Sequence, residues 1–218
     1  MKKVTLALKI AIYSFLILFC SALLFRIFIG SYYPKDIKRI HFTEELTEYY
    51  QENKDSFSAY TQKIRTKYDD PDKGNFFANH LIVVPDAGHL QVAIRYNEST
   101  LEALTAEYGE LTLDEDGGAS LYYVLYVNYG EEKGTRSYAM SEESFRDKSF
   151  MYHYTKLIFE GVDFKDAIWM RVDIYCKDGD GSAPFSSIPV YESQVDIDGT
   201  VVTYELKEYK IKKSEFPK

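Results

Sequence analysis

The chain is poor in the residues that most chemistry-bearing sites require. It has two cysteines, four histidines and one tryptophan in 218 residues. Cys20 lies inside an apolar run, which leaves Cys176 alone in the remainder. No disulfide can therefore form within that remainder, and no cysteine-based zinc site can be built there. His41, His80, His89 and His153 are scattered, with no pair at the helical spacing of a metal site. There is no G-x-S-x-G elbow, H-E-x-x-H, C-x-x-C, P-loop or S-x-x-K motif. Acidic residues are absent from the first thirty positions. No Pro/Gly/Ser-rich linker, low-complexity run or fixed-period repeat divides the rest, which favours one domain. These absences leave no residue to nominate as catalytic, cofactor-binding or metal-ligating. They lead us to expect a non-enzymatic protein that needs no cofactor.

What is present begins with an apolar stretch, Val4 to Gly30. From Ile10 to Phe25 it carries no charge, 16 residues bracketed by Lys9 and Arg26. A helix of that length spans roughly 24 Å, short of a ~30 Å hydrocarbon core. Ile27, Phe28 and Ile29 extend it, and basic side chains at its ends reach the headgroups. Tyr32 and Tyr33 fall where an interfacial aromatic belt belongs. The expected organisation is a short cytoplasmic tail over 1–8 and a transmembrane signal-anchor over 9–30. A juxtamembrane segment with a short helix follows over 31–56, then an extracytoplasmic domain over 57–218.

The competing reading is a cleaved signal peptide. Met1-Lys2-Lys3 suits its basic start, but a cut after Gly30 would place bulky Phe28 where a small side chain is wanted. The flanking basic residues nearly tie: Lys2, Lys3 and Lys9 on one side, Lys35, Lys38 and Arg39 on the other. A short tail and basic start favour the N-terminus inside, in a single-pass cell-membrane protein; a cytosolic domain is the alternative. Ser14, Cys20, Ser21 and Ala22 supply small residues for helix packing.

Residues 1–30 hold four of the 26 basic residues and none of the 34 acidic ones, leaving the remainder with a net −12. Such a domain repels nucleic acid, so no nucleic-acid partner is expected. It is also aromatic, with most of the 20 Tyr and 14 Phe.

Short β-branched and aromatic segments predict strands. In Ile168–Cys176 the even-numbered residues face inward, and Trp169, Arg171, Asp173 and Tyr175 outward. His89–Tyr96 repeats the pattern, with Gln91 and Arg95 outward, so both read as strands buried on one face. Leu121–Tyr129 is apolar on both faces and reads as central, with Thr135–Met140 as its hairpin partner. Phe57–Tyr68, Asn79–Val84, Phe150–Phe159 and Val201–Ile211 complete the strands. Ser99-Thr100-Leu101-Glu102 reads as a capping box for a helix ending at Gly109. Thr43 caps another through about Gln51. The expected fold is mainly β: one antiparallel β-sandwich, Ig-like or jelly-roll-like, with one or two short helices behind the transmembrane helix.

Five weaker features have ordinary explanations. His80 and His89 flank a hairpin at Pro85-Asp86-Ala87-Gly88 and are candidates for a paired metal site. Asp178-Gly179-Asp180-Gly181, with Asp173 nearby, has the composition of a solvated turn before that of a calcium loop. Trp169 and Tyr175 offer sugar-stacking faces but lie about 20 Å apart on an ideal strand. Asn97-Glu98-Ser99 is a glycosylation sequon in a turn, and Cys176 reads as a small buried hydrophobe. The functional expectation is a membrane-anchored extracytoplasmic β-sandwich held in the lipid bilayer through residues 9–30. It would serve a binding or structural role toward a protein or glycan partner. The alternatives are an accessory or sensory subunit that uses its transmembrane helix, and a surface hydrolase with dispersed carboxylates.

Overall fold

The computed structural model describes residues 2–64, 67–70, 74–197, 200–203 and 206–217. It divides into two units, Met1–Pro34 and Lys35–Lys218. The first is the helix α1 (Lys2–Ser31), of which Lys9–Ile29 is long and apolar enough to cross a membrane. At 100° per residue, Ser14 and Ser21 share a face of this helix, while Cys20 and Ala22 fall to either side. The small residues therefore do not make one strip.

The second unit is mainly β. It comprises α2 (Lys35–Lys38), α3 (Glu44–Glu52), β1 (Tyr60–Lys63), β2 (Lys67–Asp70), β3 (Gly74–Val84), β4 (His89–Asn97), α4 (Glu98–Tyr108), β5 (Leu121–Asn128) and β6 (Thr135–Ala139). It continues with β7 (Phe145–Ser149), β8 (Tyr152–Phe159), β9 (Trp169–Cys176), β10 (Ser186–Glu192), β11 (Gln194–Ile197), β12 (Thr200–Thr203) and β13 (Lys207–Glu208). The strands form two main antiparallel sheets in a sandwich-like arrangement. The larger runs β13-β1-β3-β4-β8-β7 with β2 also on β3, the smaller runs β10-β9-β5-β6, and β11-β12 is a separate hairpin.

One apolar core joins the two sheets. Val92, Ile94 and Leu157 from the larger meet Tyr123, Leu125, Met170, Val172 and Ile174 from the smaller. A second cluster lies under the segment that follows α1: Ile40 and Leu46 pack with Ala59, Ile82 and Val84, joined by Phe42, Phe57, Tyr209 and Ile211. The larger sheet is thus covered on both faces. For this reason β4 is buried along nearly its whole length, Gln91 and Ala93 fully and Arg95 almost so. The one-face reading of His89–Tyr96 is corrected accordingly.

Other expectations fared unevenly. The β5–β6 hairpin forms as read, with Asn128 opposite Thr135. β5 is central, between β9 and β6, but its residues alternate between buried and half-buried. β9 keeps Met170, Val172, Ile174 and Cys176 inward, whereas Ile168 precedes the strand and is 46% exposed. Phe57–Tyr68 becomes two strands, β1 and β2; its residues 65–66 lie outside the described residues. Asn79–Val84 is the end of the longer β3. Phe150 turns at φ 55 before β8, and β7 was not foreseen. Val201–Ile211 is not one strand: β12 ends at Thr203 and β13 is two residues long, with 204–205 outside the described residues.

Thr43 caps α3 by accepting from the Leu46 amide at 3.2 Å. The capping box is displaced. Asn97 is the cap of α4, and Ser99 lies inside the helix with its hydroxyl donating to Asn97 Oδ1 at 2.7 Å. Gly109 ends the helix as expected. Gly88 takes φ 61 in the β3–β4 turn, and a Cβ there would press on the Val162 backbone at 3.3 Å.

Candidate functional site

The outward face of the smaller sheet gathers most of its aromatic residues. Register places Tyr122 opposite Tyr175, Tyr126 opposite Arg171, and Asn128 opposite Trp169. β5 therefore fills the 20 Å that separates Trp169 from Tyr175 on their own strand. Tyr122 and Tyr175 stack at 4.9 Å with planes 8° apart. The Arg171 guanidinium lies 5.3 Å from the Tyr126 ring and 5.6 Å from the Trp169 ring, within cation–π range. Its Nε and a terminal nitrogen both bond Asp173, at 3.1 and 3.2 Å. Asp173, 2% exposed, also accepts from the Ser187 hydroxyl at 2.6 Å.

Asp173 faces outward, as strand parity predicts; paired on two sides, it is nonetheless covered. The charges on this face cancel locally, inside a domain that is strongly acidic overall. The aromatic faces are largely occupied by one another and by Arg171, so edges and hydroxyls are what the surface presents. Tyr175 is pushed up to about 12, first by its hydrogen bond to Tyr126 and then by burial.

A second cluster surrounds the loop before β5. Asp116 Oδ2 lies 3.2 Å from His153 Nδ1, and His153 stacks on Tyr96 at 5.1 Å. Arg146 pairs with Asp114 and donates to the Leu121 carbonyl at 2.8 Å. Gly118 sits so close that a Cβ would lie 2.5 Å from the Tyr96 hydroxyl and 2.9 Å from His153 Nδ1. An acid–base pair is present, but the loop is laid directly upon it, and the hydrogen bonds fasten loop to sheet. Spacing along the sequence held no sign of this pair, because Asp116 and His153 meet only through the fold.

A cleft of about 480 Å³ is lined by Asp36, Arg39, His41, Phe42, Phe145 and Glu215, among others. Its Glu215 is fully engaged. Oε1 faces Arg39 at 3.4 Å, and Oε2 accepts from the Tyr209 hydroxyl at 3.0 Å and the Lys212 amide at 3.4 Å.

The remaining candidates separate. His89 pairs with Val84 at the hairpin, whereas His80 pairs with Lys63 of β1, at a bulge in the β3–β4 ladder. Among the described residues no cluster of three or more His, Cys, Asp or Glu is placed to hold a metal ion. Asp178 accepts from the Thr112 amide and hydroxyl at 2.9 and 2.6 Å, which hold its carboxyl below the usual range. Asp180 accepts from Ser182 in its own turn. Both aspartates are spent on loop geometry. Asn97 Oδ1 is occupied by Ser99. Cys176 is buried, its thiol pushed up by desolvation.

Sequence reasoning missed Lys156, which is wholly buried in β8. Desolvation lowers it from 10.5 to about 7, and its Nζ donates to the Ile37 carbonyl at 3.3 Å. The available signal was its position between Tyr154 and Ile158, both apolar, on one face of a strand.

No protein-family model, curated protein or solved structure matches the chain.

Proposed function

We propose that the chain is a membrane-anchored recognition module. Its β-sandwich-like unit is displayed outside the cytoplasm, and the outer face of the small sheet serves as its contact surface for a protein partner. The observation that carries this reading is the patch of Trp169, Tyr126, Tyr122 and Tyr175 built around the neutralised Arg171–Asp173 pair. Tyrosine, tryptophan and arginine are the side chains that dominate protein interfaces, and unpaired charge is depleted at interface centres.

A glycan platform needs open ring faces, whereas Tyr122 and Tyr175 cover each other. A protein partner is therefore favoured over a sugar. The hydrolase alternative gains no support from Glu215 of the cleft, because both of its oxygens already have partners.

The reading is tested in cells with the full chain carrying a photoreactive residue at Tyr126 or, as a control, at Glu102 on exposed α4. Irradiation is expected to give a discrete adduct from position 126 only, and Trp169→Ala is expected to reduce it at least tenfold. Equal adducts from both positions, or none from 126, would contradict the assignment.

A further inference from the structure

The side of the larger sheet that carries residues 36–46 is fastened by a polar clasp whose parts are set by one another. Gln91, fully buried on β4, grips the backbone of His41 twice: Oε1 accepts from the His41 amide at 2.9 Å, and Nε2 donates to the His41 carbonyl. That backbone fixes the amide orientation. It also commits the second Nε2 hydrogen, which points at His89 Nε2, 2.8 Å away. His89 Nε2 must then be an acceptor, so the single ring proton sits on Nδ1. Nδ1 has no hydrogen-bond partner among the described residues; the nearest carboxylate oxygen, Glu160 Oε1, is 3.9 Å off.

A proton added to His89 Nε2 sets two donors head to head. Relief requires Gln91 to reverse its amide, and the reversed amide presents a donor to the His41 N–H and an acceptor to the His41 carbonyl. Both bonds to residue 41 are lost together. We infer that protonation of His89 unfastens residues 36–46 from the sheet, with Gln91 as the relay between imidazole and backbone.

The surrounding charges oppose a docked imidazolium. Lys156 of β8 and His41 of the segment both act against it, and Lys156 and Lys38 act likewise on His80 of β3. The acids that face the segment, Asp36 and Glu143, act on His41; Glu160, 3.9 Å from His89 Nδ1, favours the charged ring but stands beyond hydrogen-bond reach, and burial outweighs it. Burial, the largest cause, holds His89 down to about 3 while docked, against 6.5 when released. A group whose docked value is depressed takes up its proton preferentially in the released form. Between pH 6.5 and about 3, each unit of acidification therefore favours release by up to tenfold.

The test is hydrogen exchange on the full chain in nanodiscs at pH 7.0 and 4.5, corrected for intrinsic exchange rates. The peptide spanning 38–46 is expected to lose at least tenfold protection in acid while 121–128 on β5 stays the better protected of the two at both pH values. His89→Gln is expected to flatten most of that response, and Lys156→Met to weaken it without abolishing it. Unchanged protection of 38–46 in the unaltered chain would overturn the inference, and that measurement needs no variant. Protection of 121–128 falling as low as that of 38–46, or a response of 38–46 undiminished in His89→Gln, would overturn it equally.

Discussion

The two faces of the larger sheet solve the same burial problem with different materials. Toward the smaller sheet, Val92, Ile94 and Leu157 meet an almost wholly apolar layer. Toward residues 35–59, the neighbouring strand positions carry Gln91, His89 and Lys156, all buried. The apolar side loses free energy only when volume is removed. The polar side holds groups whose charged forms burial disfavours, so its strength varies with pH. One face acts as the fixed core and the other as an adjustable attachment.

The largest expected effect lies on the apolar side. Leu125→Ala should cost about 3–5 kcal/mol by cavity formation, equally at pH 5 and pH 8, in chemical unfolding of the full chain. A strong pH dependence of that loss would blur the comparison. Next is Lys156→Met, which removes a buried amine while keeping its length. It should stabilise the fold by about 1–4 kcal/mol at neutral pH.

The sign for Lys156 follows from its depressed folded value. The unfolded chain binds the extra proton between about 7 and 10.5, so native stability rises with pH across that window. In Lys156→Met this rise should vanish from thermal midpoints.

A third effect comes from His80 and His89, lowered to about 4 and about 3. Stability should fall as pH drops below 6.5, by up to about 1.4 kcal/mol per unit for each histidine. His80→Gln should roughly halve the slope of melting temperature against pH. Thr43→Ala should cost about 1 kcal/mol through the lost cap of α3. The smallest effect should be Lys133→Ala. Its pairing with Asp166 at 2.9 Å is exposed on both sides, and its loss should leave the melting temperature unchanged.

The same contrast explains what was legible in the sequence. Strands that bury one face against the apolar core announce themselves by alternation, as Met170, Val172 and Ile174 do. The β5–β6 hairpin was readable because Gly130 and Gly134 bracket it. The second layer was not, because a lysine or glutamine within a strand reads as solvent-facing. Gln91 and Lys156 are buried by a segment some 50 and 119 residues distant in the chain. The Ser99 cap failed because the helix begins at Glu98, which puts Asn97 at the cap position and Ser99 inside the first turn, its hydroxyl donating to Asn97. The aromatic patch was half visible: parity put Trp169 and Tyr175 on one face, but only the pairing of β9 with β5 brings in Tyr122 and Tyr126. Asp116 and His153, 37 residues apart, are joined by topology alone.

The proposed role is tested most directly by labelling intact cells with a membrane-impermeant maleimide. Single cysteines would be placed at Ser137, exposed on the outer face of the small sheet, and at Glu102 on α4. The native thiols give little background, since Cys176 is buried and Cys20 lies in the apolar helix. Glu102→Cys should label without permeabilisation. Ser137→Cys should be shielded in cells and label freely once the protein is purified. Labelling of Glu102→Cys only after permeabilisation would contradict the outward placement, and equal labelling of both in cells would contradict the contact surface.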